Sequence, residues 1–173
     1  MGKLIIIRGP SGSGKTTVAK ALFEQAADGT VLIGQDYYRF IFKPAGGKIN
    51  AKSIHKMVKS DILTCLKDGY DVIAEGIFIK KSWQRVFESI FKHHKTDNYI
   101  FTYDINFAET IRRHRTKSNR KNWSETAMKD WYAHQDFLGY NFEYKIPEKF
   151  SAKQALEFIQ AKTGVKRSRK GNT

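Results

Sequence analysis

Hydrophobic residues in this chain fall into short solid runs separated by stretches that carry a helical stripe. Leu4-Ile5-Ile6-Ile7 is apolar at every position, as a strand covered on both faces requires. Thr30–Ile33, ending at Gly34, and Tyr70–Ala74, closing at Glu75-Gly76, are two more such runs. Tyr99–Tyr103 is a fourth, and 143–146 a weaker fifth. The segments between them repeat differently. From Lys15 to about Ala27 the residues favour helix, until Asp28-Gly29 stops it. Within 51–67, Ile54, Met57, Val58, Ile62, Cys65 and Leu66 share one helical face, and Gly69 suits the left-handed position that ends such a helix. Trp83, Val86, Phe87, Ile90 and Phe91 draw a second stripe. Asn106, with Glu109 three residues on, predicts a capping box that opens another helix. Further helices are expected over 124–137 and 151–162, the latter capped by Ser151 and Gln154. Residues 35–49, with Pro44 and Gly46-Gly47, read as an irregular loop.

Strands alternating with helices at this spacing predict a parallel sheet wrapped by helices, a three-layer α/β/α sandwich on a central five-stranded sheet. Right-handed crossovers bring every strand's carboxyl end to one edge, which is where open sheets of this kind bind ligands. Chemistry is therefore expected just after Ile7, Ile33, Ala74 and Tyr103. With no internal repeat and no linker, residues 1–164 read as one domain, followed by a basic, disordered tail over 165–173.

The first of those positions carries Gly9-Pro10-Ser11-Gly12-Ser13-Gly14-Lys15-Thr16, a match to G-x-x-x-x-G-K-[ST], the P-loop. It lies after a strand and before a helix, the context the motif needs. Glycines let the main chain curl so that successive N–H groups point at phosphate oxygens, and the following helix adds its N-terminal dipole. Gly9, Ser11, Gly12, Ser13, Gly14, Lys15, Thr16 and Thr17 are thus expected to bind ATP, with Lys15 on the β- and γ-phosphates and the Thr16 hydroxyl on Mg²⁺.

The other strand ends supply charge. Asp36, just past the second strand, is placed to take the proton of an attacking hydroxyl, and Arg39 to bind the acceptor or the transferring phosphoryl group. The alternative is a helix cap beside a solvated arginine. Glu75 closes the third strand and either orients Mg²⁺ or holds an acceptor hydroxyl, and Gly76 after it allows a close backbone approach. Arg112, Arg113, Arg115 and Arg120 run from a helix into a loop and are expected to form a helical lid over about 112–124 that closes on ATP. A solvated basic face is the competing reading. Of Tyr37, Tyr38, Phe40 and Phe42, about half are expected in the core and the rest beside the acceptor.

Charge and cysteine usage narrow the class. Thirty-one basic and seventeen acidic residues leave a net charge of +14, which draws polyanions. The tail VKRSRKGNT keeps nucleic acid in view as a partner. Cys65 is the single cysteine, so there is no disulfide framework and no cysteine cluster for zinc; it reads as a small core residue rather than a nucleophile. The five histidines share no metal-binding spacing and read as structural or surface residues. No apolar run is long enough to span a bilayer and the start lacks a signal-peptide layout, so a cytoplasmic protein without a membrane partner is expected. Oligomeric state is not readable.

At the P-loop, QDYYR, DVIAEGIF and ETIRRHR, the chain resembles small P-loop kinases of the shikimate, gluconate and chloramphenicol phosphotransferase type. It is most similar to zeta-toxin-like kinases and to the kinase domain of phage polynucleotide kinase. The resemblance implies Asp36 as general base, Lys15 and Thr16 on ATP–Mg²⁺, Glu75 near acceptor or metal, and the arginines in the lid. The expected function is transfer of the γ-phosphate of ATP to a hydroxyl of a small molecule. A 5′-hydroxyl of nucleic acid is the rival acceptor, and a nucleotide-binding regulatory module is the rival class.

Overall fold

The computed structural model describes residues 2–42, 50–95, 97–115, 124–130, 132 and 135–165. Five parallel strands, β1 (Leu4–Arg8), β2 (Thr30–Gly34), β3 (Asp71–Gly76), β4 (Asn98–Asp104) and β5 (Glu143–Pro147), form one sheet in the order β2-β3-β1-β4-β5. Helices cover both faces, so the all-apolar β1 run has a simple cause: alternate residues face opposite cores. Leu4 and Ile6 pack against α3 (Ala51–Lys67) and α4 (Lys80–His93). Ile5 and Ile7 pack against α1 (Lys15–Gln25) and α7 (Ala152–Thr163). All five expected strands are present, and α3 spans the expected residues, with Gly69 beyond it at φ +93°. Ser151 and Gln154 form the expected capping box on α7.

Three expectations need correction. Residues 35–40 are not irregular: Gln35–Phe40 form a short helix, α2. Six residues are too few to show a 3.6-residue period, and tertiary anchors hold the helix instead. Tyr38 is buried and its hydroxyl donates to Asp61 on α3. The helix expected over 124–137 stops early, as α6 (Glu125–Asp130), with residues 135–142 outside any helix. The cap on α5 (Phe107–Arg115) is half a box: Asn106 accepts from the Glu109 N–H at 2.9 Å, but the Asn106 N–H goes to Glu148, because Glu109 is engaged by arginines. Arg120, the rest of the expected lid and the tail beyond Val165 lie outside the described residues, as do His134 and Trp131. Among the described residues no helix is long and apolar enough to cross a membrane.

Candidate active site

The phosphate loop leaves β1 at Gly9 and runs into α1. Gly14 precedes the helix at φ +98°, and α1 starts at Lys15 without a side-chain cap. The amides of its first turn are left for an anion, reinforced by the helix dipole. Ser13 is fully buried and its Oγ has no hydrogen-bond partner, an orphaned hydroxyl inside the loop that a phosphate oxygen suits. Lys15 is buried too, its Nζ donating to the Pro10 carbonyl at 3.2 Å. A Cβ at Gly12 would lie 2.6 Å from the Thr110 carbonyl, so a side chain there would push α5 off the loop.

Glu75 and Gly34 are neighbours across β3 and β2, and Glu75 is paired in register with Ile7 on its other side. The Thr16 hydroxyl donates to Glu75 at 3.0 Å. Burial pushes the Glu75 carboxyl above the usual range; Lys15 and the Thr16 hydrogen bond pull it back, and Asp36 pushes it up again. Asp36 therefore stands close enough to bear on this corner, although it is exposed, in the first turn of α2. Thr16 and Glu75 offer hard oxygen ligands beside a phosphate site, a donor set that fits Mg²⁺. Among the described residues no three His, Cys, Asp or Glu side chains cluster as a metal cage would need.

On the other side of α2, a cleft of ≈ 130 Å³ opens between α2, α3 and α4. Gln35 and Arg39, one helical turn apart, share the face that lines it, opposite His55 of α3 and Ser82 and Trp83 of α4. The Gln35 amide oxygen accepts from the Phe78 N–H at 3.3 Å. A Cβ at Gly76 would sit 2.5 Å from that oxygen, so the close approach read from Gly76 is made by the Gln35 side chain. Sequence reading did not single out Gln35, whose role shows only in its contacts with Phe78 and Gly76. Tyr38 and Phe42 pack inward, as expected of about half of these rings, while Tyr37 and Phe40 are exposed. Cys65 is half-buried on α3, and burial raises its thiol pKa, which suits packing rather than nucleophilic attack.

The basic helix α5 is not a row of equivalent arginines. Arg113 donates to the Ser13 carbonyl at 2.9 Å, to the Glu148 carbonyl at 2.6 Å and to Glu109 at 2.7 Å, so it ties α5 to the phosphate loop. Arg112 is exposed and paired with Glu109, and Arg115 is paired with Glu125. Another cation was passed over. Arg8, 1% exposed, ends β1 just before the loop and binds the Phe78 carbonyl, Thr102, Asp136 and Glu143.

Solved structures share this architecture. The Deinococcus radiodurans tunicamycin resistance protein matches at 18% identity and TM-score 0.68, over 96% of this chain and 98% of its own. A gluconokinase from Sinorhizobium meliloti 1021 matches at 16% and 0.67, over 94% and 91%. An APS kinase from Mycobacterium tuberculosis, in complex with AMPPNP and APS, matches at 14% and 0.64, over 93% and 96%. At such identities the likeness establishes the fold. No curated protein sequence matches the chain. The family model for an AAA domain does match, over residues 4–138, and the chain belongs to that family, with the fold of a small P-loop kinase.

Proposed function

We propose that this chain is an ATP- and Mg²⁺-dependent kinase that phosphorylates a hydroxyl of a small molecule held in the cleft between α2, α3 and α4. The observation that carries the reading is the corner where the phosphate-loop threonine, Thr16, meets the buried Glu75 at 3.0 Å, with Asp36 close by and its neighbour Gln35 lining the cleft. Loop amides, Ser13 and Lys15 hold the triphosphate. Thr16 and Glu75 would hold Mg²⁺, which when bound would neutralise charge on the triphosphate. Asp36 takes the proton of the acceptor hydroxyl as its oxygen bonds to the γ-phosphorus, and the bond to the ADP oxygen breaks. Arg39 lies one turn along α2, on the acceptor side. Arg113 sets the loop's position from behind, and Arg112, Arg115 and Arg120 belong to the lid. Most of the acceleration comes from positioning and electrostatics.

Asp36→Asn tests the assignment. Loss of a general base should lower kcat by about 10²–10⁴ while ATP affinity changes little. A variant that keeps its turnover removes Asp36 from the reaction.

A further inference from the structure

Charge is spread unevenly over the two helical layers. Side by side on one face of the sheet, α3 and α4 hold eight lysines and arginines against two acids. On the other face, α1 and α7 hold four against two, and one of those four is the buried Lys15. Helix α3 turns Ile54, Val58 and Ile62 inward and carries Lys52, Lys56 and Lys59 on a separate stripe. Helix α4 turns Trp83, Phe87 and Ile90 inward and carries Lys81, Arg85 and Lys92 on its outer stripe. Five of these six cations are exposed, and Lys59 is half-buried. Among the described residues none of the six is in an ion pair, whereas Arg112, Arg113 and Arg115 of α5 all are. The acids of the layer are engaged elsewhere: Asp61 accepts from Tyr38, and Glu88 from Gln84 at 3.0 Å. Helix stability does not ask for this arrangement. Lys52 and Lys81 sit in first turns, where the dipole favours acids and neither helix has one. Lys52 with Lys56, and Lys81 with Arg85, put like charges four residues apart, which weakens a helix.

We infer that the outer face of α3 and α4 docks the sugar–phosphate backbone of a nucleic-acid duplex, without reading its sequence. Phosphate contacts need cations and little else, and they supply most of the affinity of such binding. Along α3 the face runs for about 25 Å, or about seven base-pair steps of a duplex. Other partners that a basic surface attracts need something this one lacks. The large hydrophobic side chains exposed among the described residues are Phe23, Tyr37, Phe40, Ile41 and Tyr70, and all lie off α3 and α4. A single strand is gripped by stacking its bases on aromatic rings. A protein interface is centred on buried aromatic or apolar anchors. Stable attachment to a membrane needs an apolar anchor beside the basic patch. A duplex keeps its bases stacked inside and asks for none of these. Docking here involves no turnover, so it stands or falls apart from the kinase reading.

The experiment uses the full chain and fluorescence anisotropy with a DNA duplex of about 20 base pairs, long enough to cover the face. Both 5′ ends are phosphorylated, so no 5′-hydroxyl is offered to the active site. Binding should be saturable and equal for two unrelated sequences. It should weaken about 10³-fold between about 50 and about 200 mM KCl, as roughly six phosphate contacts require. Two double variants with the same loss of charge then locate the surface. Lys56→Gln with Arg85→Gln should weaken binding about tenfold or more and lower the salt slope by about two. Lys149→Gln with Lys153→Gln, on the α7 side, should leave the slope unchanged. Circular dichroism checks that each is folded; Lys52→Gln alone, which should lower the slope by about one, serves if the first double is not. Equal losses from the two doubles overturn the inference, because binding would then belong to the net charge of +14 as a whole. Three results on the unmutated chain overturn it without any variant: no saturable binding, a thymidylate single strand of equal length that outbinds the duplex, or uptake by phosphatidylserine vesicles where the duplex is not bound.

Discussion

A single carboxylate, Glu75, sets two opposing demands. Burial disfavours its charge, so the folded chain without ligand binds a proton there more tightly than the unfolded chain does. The sign follows: this group's stabilising contribution is complete at acid pH and is lost as pH rises through its raised folded pKa. Metal binding needs the ionised form. Glu75→Gln should therefore make the ligand-free protein more stable to urea at neutral pH, with a weaker pH dependence, while Mg²⁺-dependent turnover falls by about 10²-fold or more. Unchanged turnover would take Glu75 out of the metal site. The sequence places residues of this kind near the strand ends, and the structure brings Thr16, Glu75 and Asp36 to one corner. The P-loop spacing singles out Lys15 and Thr16, Glu75 lies near the end of β3, and Asp36 follows β2 by two residues. Gln35 was not legible, because a neutral amide beside a carboxylate carries no signal until Phe78 and Gly76 come up against it.

Elements differ in how far their own sequence specifies them. The seventeen residues of α3 carry enough period to be placed to the residue, whereas the six of α2 do not, and Tyr38 and Gln35 define it through contacts with α3 and the β3–α4 turn. Helix α5 was foreseen, but not how it is used. Its arginines looked interchangeable in sequence, and only one, Arg113, reaches across to the loop. That difference is testable. Arg113→Ala removes three hydrogen bonds from a partly buried guanidinium, so α5 should separate from the loop and ATP affinity should fall by about tenfold or more. Arg112→Ala, which breaks an exposed pair, should change stability by about 0.5 kcal/mol or less. Equal effects from the two in a nucleotide titration and a urea melt would contradict the assigned tether.

At the scale of the whole molecule, four apolar runs and a weaker fifth, alternating with helical stretches, were sufficient to give a parallel sheet. The pattern of runs says nothing about what sits within the last residue of β1. Arg8 closes a central strand, flanked by β3 and β4, where any side chain is buried. A charge there must be paired. Its partners are invisible to local reading because Asp136 and Glu143 lie 128 and 135 residues further along the chain. Burial works against the Arg8 charge, and those two carboxylates work for it. Asp136 also accepts from the Lys80 N–H at 2.8 Å, and Arg8 holds the Phe78 carbonyl at 2.7 Å. One guanidinium thus joins the root of the phosphate loop, the turn that walls the cleft between α2, α3 and α4, β4 and the segment entering β5. Arg8→Met leaves Glu143, 3% exposed in its side chain, as a buried carboxylate without its cation, and should cost about 3–5 kcal/mol in urea unfolding. Lysine should recover only part of this, since an ammonium cannot reach both carboxylates and a carbonyl at once. The double change Arg8→Met with Glu143→Gln should recover more, because it removes the orphaned charge as well. A loss for Arg8→Met below about 1 kcal/mol would mean the four segments are held together by the sheet alone.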